Sequence, residues 1–571
     1  MRAVRSLSGS AVRRAQLTAL FALVGACALL ASPPVALAKS HCKPGMSGVL
    51  RVGTYNGKPG QCKTIQEAMG VAAAGTWILI GPGDYKEDLA LHPKGSDDSP
   101  SGLLIEKSGI HIRGMDRNAV VIDGTKTGSP QCSSNRADQN FGPLNSEGHA
   151  EGRNGVEVWK ASGVSVENLT ACNFLSGANG GGNDIWFNFG DGSGKQIAAP
   201  WRGAFLSATS TFFEPGAPFS SYGLFVSNTA GPGLYTQVYA NNMADSDFYI
   251  GACPNCNTIL DHAHAEDSAL GYSGTNSGGH LTIQNSEFNN NKSGFVSNSQ
   301  NNDDAPSPQD GVCPHAGEKG PTGTHNCWEF TKNSVHDNNN PNVPTVGVAG
   351  NGPVGSGVVI SGGRDDIVTQ NKIYNNGAWG ILLVPYPAVE ETPPEDLKED
   401  DCLGGTKVEL SGKPVCYYDD WGNEIVGNRL ENNGFFANPS NVDLAEISNP
   451  EDPGNCWHGS TNPAQLSEEP TSEPKLIQQP PHSECGIPDS GEPLTSSLGA
   501  QVACDTEFFS FVPECPAGAS YPRVTKVVMP TMPEQRTMAN PCEGVPHNPW
   551  CPRNRARRRT PPYPVPGLPA S

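Results

Sequence analysis

Four residues of this 571-residue chain have the types needed to move a proton on a sugar-like hydroxyl or C–H bond: His262, His264, Glu287 and His336. Histidine titrates near neutral pH, and a carboxylate beside it can hold its ring or take up its charge. They sit in three short segments, Asp261-His262-Ala263-His264, Asn285-Ser286-Glu287-Phe288 and Ser334-Val335-His336-Asp337. If Ala263, Phe288 and Val335 share one inward position on successive strands, the residues flanking them point outward. His262 then neighbours Glu287, and His264 neighbours Asn289 and His336, with Asp261 or Asp337 orienting a ring. The same side chains also make sense as a polar ladder on a solvated sheet face.

Two further groups can bind rather than react. Ser176 to Gly203 reads as a long Gly-rich insertion carrying Asn183, Asp184, Trp186, Trp201 and Arg202. Exposed aromatic rings stack on sugar faces, and amides and carboxylates bind hydroxyls. The alternative is that the aromatics only pin the insertion to its neighbours. Calcium takes six to eight oxygen ligands. Two acidic groups suit it: Asp245, Asp247, Glu266 and Asp267, and the run Asn301-Asn302-Asp303-Asp304 with Asp310. Asp303 and Asp304 are the named metal candidates.

Positioning these residues requires a repeating scaffold. Gly223-Leu-Phe-Val226, Phe248-Tyr-Ile-Gly251, Ala269-Leu-Gly-Tyr272 and Gly294-Phe-Val-Ser297 align at spacings of 25, 21 and 25. Gly357-Val-Val-Ile360 and Gly380-Ile-Leu-Leu383 follow, 23 apart. A second motif recurs at Asn285, Asn333, Asn371 and Asn428, ending in Asn-Asn-Gly at Gly377 and Gly434. The apolar pattern alternates with period two, so each repeat holds tiny strands, and Asn and Gly suit sharp corners with left-handed backbone. A fixed period of this length means a solenoid, and stacked Asn side chains can hydrogen-bond along its axis.

The opening segment adds an amphipathic helix with Ile65, Ala68, Met69 and Ala72 on one face. Strand Trp77-Ile-Leu-Ile80 and the segments Gly109 to Gly114 and Val120 to Gly124 follow. This succession, with the repeats, resembles the right-handed parallel β-helix, or pectin-lyase-like, superfamily of secreted bacterial proteins. The resemblance spans roughly residues 60 to 450 and implies an all-β solenoid whose first turn is capped by the helix. It does not extend to a characterised enzyme subfamily: the Arg-Ile-Lys and Asn-Thr-Asp motifs of polygalacturonases and the Asp-Pro-His-Asp motif of mannuronan epimerases are absent.

The ends differ from the middle. Arg2, Arg5, Arg13 and Arg14, the apolar run Leu17 to Ala31 and Ala36-Leu37-Ala38 read as a secretory signal over residues 1–38. The solenoid is expected over 39–462, and residues 463–571 as a loosely ordered, Pro-rich and Cys-containing tail with a basic run from Arg553 to Arg559. Removing Cys27 leaves an even number of cysteines, which in an exported chain reads as disulfides. Near neighbours are the expected partners: Cys42 with Cys62, Cys253 with Cys256, Cys313 with Cys327 and Cys402 with Cys416. Cys253-Pro-Asn-Cys256 also has the spacing of a redox motif. The net charge of −20 argues against a nucleic-acid partner. No second apolar stretch is long enough to cross a bilayer.

The expectation is therefore a secreted, monomeric β-helix protein that binds an extracellular polysaccharide and either cleaves it, epimerises it or leaves it unchanged. The rival reading is a non-catalytic wall-binding structural protein.

Overall fold

Alternating residues in segments such as Glu287–Asn289, Lys372–Tyr374 and Arg429–Glu431 fold as short strands that bury the central apolar side chain. The computed structural model describes residues 42–43, 48–96, 98–190, 195–300, 328–388, 402, 405–410, 412–448, 454–460, 497–506, 515 and 517–552. The signal segment, Asp303, Asp304, the Cys313–Cys327 pair and the basic run Arg553 to Arg559 lie outside the described residues.

Nearly all strand pairing is parallel and joins each turn to the next, which makes the chain a right-handed parallel β-helix. One long sheet holds 18 strands and another holds ten, from Ser101–Ile105 to Val442–Glu446. The long sheet bends into two faces. Its strands Val164–Cys172, Trp201–Thr209, Gly233–Asn241 and Cys253–Glu266 share a corner at one residue of left-handed backbone, and the last, longer strand has a second such residue at Asn257. The corner residues are Asn168, Phe205, Gln237 and His262, with φ between 52° and 58°. Asn285, Lys332 and Gln370 mark the same corner further along. A Cβ in this region meets its own carbonyl, so a column of non-glycine residues there is strain that stacking on both sides must hold. Each coil thus presents a first face before the corner, a second face after it, and a third face formed by the ten-stranded sheet.

The interior is one column of buried Ile, Val, Leu and Phe running from Leu50 to Trp457. Its corners are closed by side-chain ladders. Asn291, Asn338, Asn376 and Asn433 form one: each Nδ2 donates to the next Oδ1 at 3.0–3.2 Å. In a second, the backbone N–H groups of Ser286, Asn333 and Asn371 donate to Asn333, Asn371 and Asn428. The repeated Asn is therefore structural, and the second ladder begins at Ser286 rather than Asn285.

Helix α1 (Ile65–Val71) packs against Val49–Val52, Trp77–Ile80 and Ser101–Ile105, the strands that open the sheets. Thr64 caps its first turn by accepting from the Glu67 N–H. Ile65, Ala68, Met69 and Ala72 are all buried.

The expected repeat register needs correction. Leu224, Phe248, Tyr272 and Phe295 are the true equivalents on the third face, at spacings of 24, 24 and 23. The Gly357–Gly380 spacing of 23 agrees, since Val358 pairs with Ile381.

The tail also needs correction. Helix α2 (Ser497–Thr506) buries Leu498 and Val502 against Val359 and Leu382 of the third face. Residues 517–552 then run back along the outside of the solenoid as an extended strap. Tyr521 packs on Trp379, Val528 donates its N–H to Asn342 O, and Asn242 Nδ2 donates to Pro530 O. Met538 N–H donates to Asn168 Oδ1, Arg113 Nη1 to Glu543 O, and Trp550 Nε1 to Lys58 O. Proline removes donors but not carbonyl acceptors, so a Pro-rich strand can be held by donors from the surface it crosses.

Three of the expected disulfides form, Cys42–Cys62, Cys253–Cys256 and Cys402–Cys416. Cys132–Cys172, Cys504–Cys515 and Cys542–Cys551 add three pairs that near-neighbour reasoning did not name. Both Cys253 and Cys256 are buried within the core, which removes the redox-motif reading.

Candidate functional site

The second face carries two outward columns. One reads Ser207, Tyr239, His264, Glu287, Ser334, Lys372 and Arg429; the other reads Thr209, Asn241, Glu266, Asn289, His336, Tyr374 and Glu431. Successive rungs lie about 4.8 Å apart, so these side chains touch across rungs.

Ala265, not Ala263, pairs with Phe288. His264 is therefore the rung neighbour of Glu287, and the expected adjacency of His262 to Glu287 does not hold. His262 is itself the corner residue. Its ring is bound to Asp261 Oδ2 at 2.7 Å, its side chain is 52% exposed, and it belongs to neither column.

His264 Nε2 lies 2.8 Å from Asn289 Oδ1 and 3.6 Å from Glu266 Oε2. Both are acceptors, so the proton is assigned to Nε2 and the lone pair to Nδ1. Among the described residues nothing hydrogen-bonds Nδ1, and the side chain is 34% exposed. Tyr239 meets the ring edge-on and donates its hydroxyl to Glu266 Oε1 at 2.6 Å. Burial, followed by that bond to a carboxylate, raises the Tyr239 pKa, so the phenol stays neutral.

His336 has a different chemistry. Nε2 lies 3.1 Å from Glu287 Oε1 and Nδ1 lies 2.8 Å from Asp337 Oδ2. Both nitrogens face carboxylates, which fits the doubly protonated ring. Burial opposes that charge, but the bonds to Glu287 and Asp337 outweigh it and raise the pKa. The hydrogen bond from His336 holds Glu287 below the usual carboxylate range. Tyr374 stacks under the imidazole at 4.5 Å, with Lys372 Nζ 4.0 Å from the other ring centre. His336 is thus held between two carboxylates that favour its charged form, while Nδ1 of His264 has no hydrogen bond among the described residues. Sequence reasoning missed Tyr239, Glu266 as a partner, Tyr374 and Lys372. Their signal was the X-apolar-X repeat around Ala240, Ala265, Ile373 and Leu430, visible only once the register is known.

The expected binding insertion is not a surface loop. Asn183–Asn188 is a strand of the third face and Trp201–Thr209 a strand of the long sheet. Asp184 is fully buried; burial raises its pKa well above the carboxylate range, and it accepts from Phe174 N–H. Asn183 is buried and bonded to Asn154. Trp201 is a core residue between Phe187 and Tyr235. Arg202 and Arg113 clamp the buried Glu167 carboxylate. Trp186 points outward but on the third face, stacked on Phe225 at 4.9 Å, and so does not share a face with the histidine strip.

The first acidic group does not assemble as a calcium cage. Asp247 is buried and takes the Ser268 hydroxyl, while Glu266 takes that of Tyr239. Among the described residues, the one cluster with metal-ligand spacing is Asp123 with Cys132 and Cys172, whose sulfurs are already joined to each other. No helix of the described residues is long and apolar enough to cross a membrane.

No family model matches the chain, and no curated protein does. Among solved structures it is similar to the A-module of Azotobacter vinelandii mannuronan C-5 epimerase AlgE6, at 15% identity over 70% of this chain and 84% of that one, with a TM-score of 0.38. The AlgE4 A-module of the same organism gives 14% identity over 72% and 91%, with a TM-score of 0.35. An alginate lyase from Paenibacillus sp. gives 10% identity over 72% and 95%, with a TM-score of 0.28.

Proposed function

We propose that the protein is secreted, binds an extracellular polysaccharide along its second face, and performs proton transfer on it at His264. One observation carries this reading: a partly exposed imidazole, its Nε2 held by Asn289 Oδ1 beside Glu266, keeps Nδ1 without a hydrogen bond among the described residues, one rung from Glu287. A base so placed takes a proton from a sugar hydroxyl or activated C–H onto Nδ1, and the adjacent carboxylates stabilise the imidazolium formed. A pyranose ring is about as long as one rung spacing of ~4.8 Å, so a chain laid along the axis meets one pair of outward side chains per sugar. Six disulfides among the described residues agree with an oxidising, extracellular setting.

A second reading, binding without turnover, is favoured by a different observation. Glu287 and Asp337 are both engaged by His336, and Glu266 is engaged by Tyr239, so the carboxylates are already satisfied. A polysaccharide array, run with and without calcium and read for both binding and product release, separates the two. Turnover lost in His264→Ala with binding retained supports catalysis. Binding with no product from any glycan supports the second reading. No binding to any glycan contradicts both.

A further inference from the structure

The third face carries a cavity that the polysaccharide reading does not use. Its outward column begins with large rings: Trp186 stacks on Phe225, and Phe225 meets Tyr249 edge-on at 4.7 Å. On the next rungs the same column continues as Ser273, Val296, Val359 and Leu382. The sudden loss of side-chain volume leaves space above the sheet. Val348, Gly352 and Val502 of α2 also line this partly open space, whose volume is about 330 Å³. Tyr386 stands at one end, and Tyr222 with Asp245 at the other.

The walls are mainly aliphatic, but they are not closed by apolar contact, and the polar end is unfinished. Asp245 Oδ1 is shielded from solvent and has no hydrogen-bond partner among the described residues. A shielded acceptor without a donor is costly, and a cavity left empty beside it forfeits contacts on every wall. Burial raises the Asp245 pKa to about 7, while hydrogen bonds of the carboxyl with the Tyr222 and Ser246 hydroxyls pull the other way. A ligand completing this site supplies an apolar body against Val296, Val359 and Leu382, and one N–H or O–H donor to Asp245. Pockets of this size and mixture are the usual form of small-molecule sites.

We propose that this cavity binds a small amphiphile, an apolar ring system or short chain bearing one amine or hydroxyl donor, independently of the second face. The probe is N-phenyl-1-naphthylamine, a neutral fluorophore with an apolar body and one N–H, titrated into the full-length disulfide-bonded protein. A saturable, single-site rise in fluorescence is expected. Val296→Trp fills the cavity from its floor and should weaken binding at least tenfold. Should that variant fail to fold, judged by its far-ultraviolet spectrum, Ser273→Phe fills the cavity from the adjacent rung and should do the same. Competition by 1-phenylnaphthalene, which lacks the donor, should be several-fold weaker than by unlabelled amine-bearing analogues. Absence of saturable binding in the wild type, or unchanged affinity in a folded, cavity-filled variant, overturns the site. Equal affinity with and without the donor overturns the role of Asp245.

Discussion

The second and third faces are built from the same coils, yet one is a polar strip and the other an apolar surface that has been covered. On the second face, His264, Glu287, His336 and Tyr374 follow each other rung by rung and remain at least partly open, while Tyr239 on the rung before them is buried. On the third, Trp186 stacks on Phe225 and Phe225 meets Tyr249 edge-on, and beyond them α2 and the strap residue Tyr521 pack with Val359, Trp379 and Leu382. A solenoid offers the same spacing everywhere. The difference between a reactive face and a packing face is decided by which outward columns are polar and which are covered.

That contrast is broken most severely from inside. Trp201→Ala should cost about 3–5 kcal/mol, the usual range for emptying a large buried aromatic site, whereas outward Trp186→Ala should cost about 1 kcal/mol, the loss of a stacked pair. Denaturant melts of the two variants test this, and equal costs would mean that the two rings are not on opposite sides of the sheet wall.

The strap comes next. The Arg117 guanidinium is buried and donates to Ser207 Oγ, Gln237 O and the strap carbonyl of Arg536. Arg117→Ala leaves those acceptors unmatched, at a cost of about 1–3 kcal/mol. It should also make residues 517–552 open to limited proteolysis before the coil melts. Asn371→Ala should cost a similar ~1–3 kcal/mol, because its Nδ2 serves both Phe330 O and Asn428 Oδ1, yet it should leave the strap resistant.

The smallest effect is the pH dependence of the Glu287–His336 pair. His336 has a raised pKa, so its contribution is full below 6.5 and is lost as pH rises through the folded value. Glu287 has a lowered pKa, so its contribution is full above 4.5 and is lost as pH falls through the folded value. Melting temperature should therefore gain from the pair most between those two values. Glu287→Gln should flatten the profile there, and an unchanged profile would show that the pair is not formed in solution.

The architecture was legible because alternation and Asn/Gly corners repeat on a nearly constant period, and the β-helix follows from them. Register was not legible to the residue. A corner such as His262 or Gln237 adds a residue that belongs to neither face, and rung lengths of 23 and 24 are mixed, so counting drifts by one or two positions. That drift placed His262 where His264 stands. Trp201 and Arg202 read as exposed because a Gly-rich stretch suggests a loop. In fact Gly180, Gly181 and Gly182 take left-handed backbone beside a two-residue strand pair, and Arg202 is buried only because Glu167 neutralises it. The strap was misread because proline content describes which bonds a chain cannot make, and here the bonds come from Asn168, Asn242 and Arg113 beneath it.

The central claim is that the second face, not the aromatic third face, meets the polysaccharide. The direct measurement is to take the glycan that binds most strongly on the array and titrate it against His264→Ala, Glu287→Gln and Trp186→Ala side by side. The account predicts that Trp186→Ala binds as the wild type does, while the strip variants change binding or abolish product release. Loss of binding in Trp186→Ala with the two strip variants unaffected would contradict it and move the glycan to the other side of the coil.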